Sequence, residues 1–275
     1  MVGGSGGKGI GASIPRFEDH RLLTGAGEYS DDFNRPGQVY AAFARAPHAH
    51  ARLGFVDTEA ALEMSGVIAV LTGADYKSDG LNAMLAQGNP KDVELFNRDS
   101  SPIHYPRIEL LVTDKIRRVG EAVAMVIAET PNQARDAAEE VVTEYDVLPS
   151  VVDQIDALRE GAPRLWEDLP DNLCVDDQKG DVAKVADVFS KAAHVVRMDL
   201  RNNRVSGVPM EPRAAVAEYD EQRDTYTLWA GGQGVNRFQR EISTAFGVPE
   251  DDRSEEHTSE LQSLTNLVCR LLLEK

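Results

Sequence analysis

The residues best suited to chemistry are Gly231-Gly232-Gln233-Gly234, one neutral amide bracketed by glycines. Glycine lets a backbone bend sharply or come close to a bulky group. A lone amide in such a turn can hold a cofactor through hydrogen bonds without adding charge. The same residues also suit a tight turn whose glutamine points at water. A second candidate is Pro47-His48-Ala49-His50. Histidines two apart on an extended segment share a face and can bind a metal. No third ligand stands nearby, and the alternative is a pair of histidines hydrogen-bonded within a loop. Glu211 and Arg213, in Met210-Glu211-Pro212-Arg213, are also two apart and suit a structural ion pair. Gly4-Ser5-Gly6-Gly7-Lys8-Gly9 satisfies the spacing of a dinucleotide loop, but no strand precedes it, so the mechanism behind that motif is missing.

The elements that must position these residues follow from periodicity. Ala214–Tyr219 and Thr225–Ala230 alternate apolar and polar residues, which predicts two half-buried strands joined by a polar hairpin loop. Phe238, Ile242, Ala245 and Phe246 fall on one helical face after the glycines, and Gly247-Val248-Pro249 stops that helix. Strands are expected at 38–45, 67–71, 109–113 and 193–202, the last carrying Val195, Val196 and Met198. The clearest unit is 119–145. Val123–Ala128 reads as a buried strand, and Thr130-Pro131-Asn132-Gln133 starts a helix with threonine as cap and proline in the first turn. Ala134, Ala137, Ala138, Val141 and Val142 give that helix a narrow stripe of small residues, fit for close packing on a sheet. Short helices are expected at 57–64, capped by Asp57 or Thr58, and at 181–192, opened by Asp181. Residues 75–101 read as an irregular surface excursion, and 156–177 as a connection anchored by Trp166 and Leu169.

Composition narrows the function. The chain has 275 residues, long enough for one large or two medium cores. Its net charge is -17, with 46 acids against 29 bases, which argues against nucleic acid or an anionic membrane as partner. Two cysteines, Cys174 and Cys269, make no disulfide framework and point to a reducing compartment, the cytoplasm. The apolar run Ala122–Ala128 is far too short to cross a bilayer, and the glycine-rich N-terminus lacks the apolar core of an export signal.

With these residues laid out, the chain resembles the molybdenum-cofactor-binding large subunit of the xanthine dehydrogenase, aldehyde oxidase and carbon monoxide dehydrogenase family. The matching signatures are Arg16-x-Glu18-Asp19-x-Arg21-Leu22-Leu23-Thr24-Gly25-x-Gly27, Asp31-Asp32, Arg45-x-Pro47-His48-Ala49-His50-Ala51 and Val119-Gly120-Glu121. The helix and strand of 134–145, Met210-Glu211-Pro212-Arg213 and Gly232-Gln233 complete them, in family order. Ala122 departs from the proline of many relatives. The resemblance implies an α+β fold: an aldehyde oxidase/xanthine dehydrogenase α/β hammerhead domain followed by the start of the molybdenum-cofactor-binding domain. It divides the chain into a flexible glycine-rich N-terminus (1–20), the hammerhead domain (21–152), a linker (153–180), the N-terminal part of the molybdopterin-binding domain (181–252) and a tail (253–275).

Its implications for function are equally specific. Members hydroxylate aldehydes, N-heterocycles or related small molecules with oxygen from water, or oxidise carbon monoxide. The cofactor is molybdopterin, in its cytosine dinucleotide form. Electrons leave through an iron–sulfur small subunit and an FAD medium subunit. Gln233 matches the family glutamine beside the molybdenum centre, with Gly232 next to it, so these two are the expected cofactor-binding residues. The later glycine-rich loop, the substrate loop and the glutamate base of the family fall beyond Asp252, so no catalytic base is expected within this chain, and a non-catalytic hammerhead module for subunit assembly is the alternative. From Arg253 the sequence resembles a translated sequencing-library adapter. A natural amphipathic helix, with Leu261, Leu264, Val268 and Leu271 on one face, is the other reading of that tail.

Overall fold

The computed structural model describes residues 16–28, 30–85, 94–203, 205, 208, 213–222, 225–231, 235–247 and 267–272. In chain order the first elements are α1 (Asp19–Leu23), β1 (Tyr40–Arg45), β2 (Ala51–Asp57), α2 (Glu59–Glu63), β3 (Val67–Thr72), α3 (Gly73–Ser78), β4 (Met84–Leu85), β5 (Arg107–Ile108) and β6 (Lys115–Ile116). They are followed by β7 (Ala122–Ala128), α4 (Pro131–Glu139), β8 (Val142–Val147), α5 (Val182–Lys191), β9 (Ala215–Asp220), β10 (Thr225–Ala230), α6 (Val235–Phe246) and β11 (Leu267–Leu272). They form two compact units, one spanning 37–207 with 240–249, the other 1–36 with 208–239 and 250–275.

The larger unit is built around β7. This strand pairs antiparallel with β1 on one side and β3 on the other. Both of its faces are covered, which is why its sequence is continuously apolar rather than alternating. Val123 enters a cluster with Ala46, Ala51, Val112 and Ile116. Val126, on the opposite face, joins Ala61 and Ala137. The helix α4 lies on the second face, and its alanine stripe is what lets it sit close. Thr130 caps it by accepting from the Gln133 N–H at 3.3 Å, while the Gln133 side chain donates to the Ser65 carbonyl at 3.0 Å. A second sheet places β2 between β6 and β8, all antiparallel.

Four expectations in this unit are corrected by the fold. The helix α4 ends at Glu139, so Val142 leaves its stripe and opens β8 opposite Asp57, 62% exposed. Residues 75–101 are not wholly irregular, because Thr72 nucleates α3. Its hydroxyl accepts from the Ala74 N–H at 3.2 Å, and the Asp75 carboxylate accepts from the Thr72 N–H at 2.7 Å. The expected strand at 109–113 is a closed loop, in which the Glu109 carboxylate accepts from the Thr113 N–H and hydroxyl, both at 2.9 Å. Local capture by a side chain wins there over a ladder, and the pairing moves upstream to β5 against β4. Residues 193–202 are exposed, form no regular element and pair with no described strand.

The Asp75 contact carries a pH signature. The hydrogen bonds from Thr72 hold the Asp75 carboxyl below its ordinary value. A lowered folded value stabilises the fold above the ordinary aspartate range, and that contribution is lost as pH falls through the folded value. Asp75→Ala is expected to cost about 1 kcal/mol at neutral pH, as loss of a helix cap does. Denaturant titrations of both proteins at neutral and acid pH would check it, since the gap should close in acid.

In the smaller unit β9 and β10 form the expected hairpin, with Thr225 opposite Asp220 and Ala230 opposite Ala215. The strand β11 adds to the other edge of β10, so the helical reading of the tail fails over Leu267–Leu272. A six-residue ladder satisfies backbone groups that a helix there would have satisfied internally. The start of α1 is fixed by Arg16, whose N–H and guanidinium both bind the Asp19 carboxylate, at 3.0 and 2.9 Å.

Candidate functional site

The turn that carries the proposed amide is framed by regular structure. The strand β10 ends at Ala230 and α6 begins at Val235, leaving a four-residue strand-to-helix junction as the sequence predicts. Gly232 and Gln233 themselves lie outside the described residues, as do Met210, Glu211 and Pro212. Arg213 is described and exposed. The hairpin leading into the junction is clamped by a residue that sequence reading passed over. The Arg35 guanidinium stacks 4.4 Å from the centre of the Trp229 ring and reaches Glu218 at 3.6 Å. Trp229 and Glu218 lie two rungs apart in the β9–β10 ladder, one on each strand, so one arginine grips both strands. Its neighbours Asp31-Asp32 had signalled the segment, but nothing in sequence joins Arg35 to a tryptophan almost two hundred residues later.

The larger unit brings together two signatures far apart in the chain. The Arg45 guanidinium donates to the Gly120 carbonyl at 2.8 Å. The Ala46 N–H donates to the Glu121 carbonyl and the Gly120 N–H to the Ala46 carbonyl, each at 2.8 Å. Gly120 has φ +86°, a conformation that suits glycine best. The Glu121 carboxylate is spent locally, accepting from the Arg117 N–H at 2.7 Å and facing Arg118 at 3.5 Å. Thus the Arg45–Ala51 motif and Val119-Gly120-Glu121 are two halves of one backbone joint.

The histidines belong to that joint. His50 is buried, and its Nδ1 lies 2.6 Å from the Pro149 carbonyl, so Nδ1 carries the proton and donates. The Leu148 N–H donates back to the His50 carbonyl at 3.0 Å. His48 packs edge-on against Tyr145, 4.9 Å between ring centres. The two rings are committed to different partners, and among the described residues no group of three or more histidine, cysteine, aspartate or glutamate side chains is placed to hold a metal.

The connection 156–177 is tied down by polar contacts that the sequence did not reveal. Lys115 is buried, and its ammonium meets the Glu167 carboxylate at 2.7 Å. That hydrogen bond holds the Glu167 carboxyl below its ordinary value. Arg117 donates to the Leu165 carbonyl at 3.2 Å. Trp166 anchors the segment as expected, edge-on to His104 at 5.9 Å, whereas Leu169 contributes its carbonyl, which accepts from Arg164 at 3.0 Å. Partial burial, with Asp171 second, pushes the Cys174 thiol above its ordinary value.

With this geometry in view, comparison with known proteins settles the family. The family model for the aldehyde oxidase and xanthine dehydrogenase a/b hammerhead domain matches residues 24–149, and that for the molybdopterin cofactor-binding domain matches residues 165–253. The chain belongs to the xanthine dehydrogenase and aldehyde oxidase family of oxidoreductases, as part of a molybdopterin-binding large subunit. It is 36% identical over 246 residues to the nicotine 6-hydroxylase large subunit of Paenarthrobacter nicotinovorans, covering 90% of this chain and 28% of that protein. It is 34% identical over 245 residues to the carbon monoxide dehydrogenase large chain of Hydrogenophaga pseudoflava, covering 85% of this chain and 28% of that protein. Among solved structures it matches quinoline 2-oxidoreductase from Pseudomonas putida 86, with TM-score 0.74 and 34% identity over 88% of this chain and 29% of that one. The chain therefore spans less than a third of the length of these relatives. Among the described residues no helix is long and apolar enough to cross a membrane.

Proposed function

We propose that this chain is the N-terminal portion of the large subunit of a cytoplasmic molybdenum hydroxylase. The whole enzyme would hydroxylate an aldehyde, an N-heterocycle or a similar small molecule with oxygen from water, or oxidise carbon monoxide, and pass electrons to iron–sulfur and FAD subunits. The observation that carries this reading is the match to the molybdopterin cofactor-binding domain over 165–253, which takes in the junction between β10 and α6.

The residues at that junction fit the cofactor by chemistry. Three glycines in sequence suit close approach of a bulky group, and a helix N-terminus such as that of α6 favours an anion, for example a cofactor phosphate. The Gln233 amide supplies a neutral donor, which serves a centre whose charge changes with redox state. Gly232 would let the main chain approach, and the clamp of Arg35 on Trp229 and Glu218 would hold the hairpin that aims the amide. When bound, the molybdenum centre supplies the oxygen transfer and accepts the electrons.

The tail from Arg253 reads as a foreign extension, supported by the end of the family match at residue 253. Genomic sequence past codon 252 that runs on into a glycine-rich loop would agree with this. The chain then holds only part of the cofactor cradle and none of the general base. Protein purified from a host with intact cofactor biosynthesis is expected to carry molybdenum well below one atom per chain and to show no hydroxylase activity. Stoichiometric molybdenum would overturn the partial-cradle reading.

A second reading, a non-catalytic module for subunit assembly, is favoured by the hammerhead unit having two clusters of its own. It predicts capture of the iron–sulfur and FAD subunits without cofactor. Failure to capture either subunit removes it.

A further inference from the structure

The segment 195–200 has the alternation of a strand but belongs to no helix or strand among the described residues. Val196, Met198 and Leu200 are 87%, 75% and 83% exposed, and they alternate with Arg197 and Asp199. That is the period of an amphipathic strand. Yet its backbone makes no hydrogen bond among the described residues, and Arg197 and Asp199 have no partner among them either. The flanks are held: α5 precedes it, capped by Asp181, and Arg201 pairs with Asp153 at 3.1 Å. An exposed, apolar segment with strand alternation and unpaired backbone groups is a candidate to pair with another strand.

We infer that in this chain as it stands residues 195–200 pair antiparallel with the same residues of a second copy, centred on Met198. The charge pattern favours that register over the one centred on Asp199. Centring on Met198 sets Arg197 opposite Asp199 of the other copy, twice by symmetry, and sets Val196 opposite Leu200 on the apolar face. Moving the centre by one residue, to Asp199, sets Arg197 opposite Arg201. Like charges directly opposite one another oppose pairing. The self-complementary register is thus written into one short segment and does not depend on the reading of the cofactor junction.

The test is the oligomeric state of the 275-residue chain by sedimentation over a range of concentrations, with amide exchange at 195–200 as a second readout. The unmodified chain is expected to dimerise, with protection at 195–200 rising with concentration. Arg197→Asp alone and Asp199→Arg alone each place two like-charge pairs across the strands and are expected to weaken association about tenfold. Mixing the two single variants, or combining them in one chain, restores opposite charges and should restore the dimer. Both side chains are exposed and unpartnered among the described residues, so the circular dichroism of the variants should match that of the parent. A chain that stays monomeric at every concentration overturns the proposal and assigns the segment to a different polypeptide. A dimer indifferent to the single substitutions overturns it as well.

Discussion

Gly73→Ala is expected to be the most damaging single-methyl change in the larger unit. Gly73 opens α3 and is buried, and a Cβ built on it would lie 2.0 Å from the Val112 carbonyl oxygen and 2.8 Å from the Val112 carbonyl carbon. Both are backbone atoms, so no side-chain rotation relieves the clash. Val112 cannot easily retreat. Its N–H donates to the Ala122 carbonyl at 2.9 Å, and its side chain belongs to the cluster of Ala46, Ala51, Ile116 and Val123. The expected loss is at least about 3 kcal/mol, the upper end of overpacking penalties. That is a large share of the stability of an ordinary domain. Urea unfolding would show it as a lower midpoint or as insoluble protein. Ala74→Gly, one residue later at an exposed position, should cost far less, because it adds no atom. Equal stability of Gly73→Ala and the parent would mean that α3 does not sit against Val112.

Ala137→Leu should be the next largest effect. Ala137 is fully buried where α4 meets Ala61 and Val126. Leucine forms helix nearly as well as alanine, so helix propensity contributes little and the change reads packing alone. Three added carbons in a closed contact are expected to cost roughly 1–3 kcal/mol. Asp136→Leu, next door on the exposed face, is the control and should leave the midpoint within about 0.5 kcal/mol of the parent. If both variants unfold alike, α4 is not docked through its small-residue stripe.

Those two positions illustrate what could and could not be read in advance. The alanine stripe of α4 was visible as a period, because an amphipathic helix repeats its apolar residues every three or four positions. Its last member was not, since Val142 obeys the same period and yet belongs to β8, where a partner strand outweighs one more helical turn. Gly73 gave no signal at all, because its requirement comes from a carbonyl 39 residues away. The strand expected at 193–202 failed for the complementary reason. Alternation can declare an amphipathic strand, but only a neighbouring edge can make it one.

The order of residues alone determined the hairpin of β9 and β10, the buried character of β7, the caps Thr130 and Asp181, and, through motifs kept in family order, the membership that both family models report. These depend on local periodicity, local hydrogen bonding or recognisable signatures, all of which lie along the chain. Tertiary structure alone decided that His48 and His50 serve a joint with Tyr145 and Pro149, that Lys115 and Arg117 bind the 164–167 segment, and that Arg35 grips Trp229. Each of these joins groups from about fifty to almost two hundred residues apart, and their meeting depends on how sheets and loops fold back on one another.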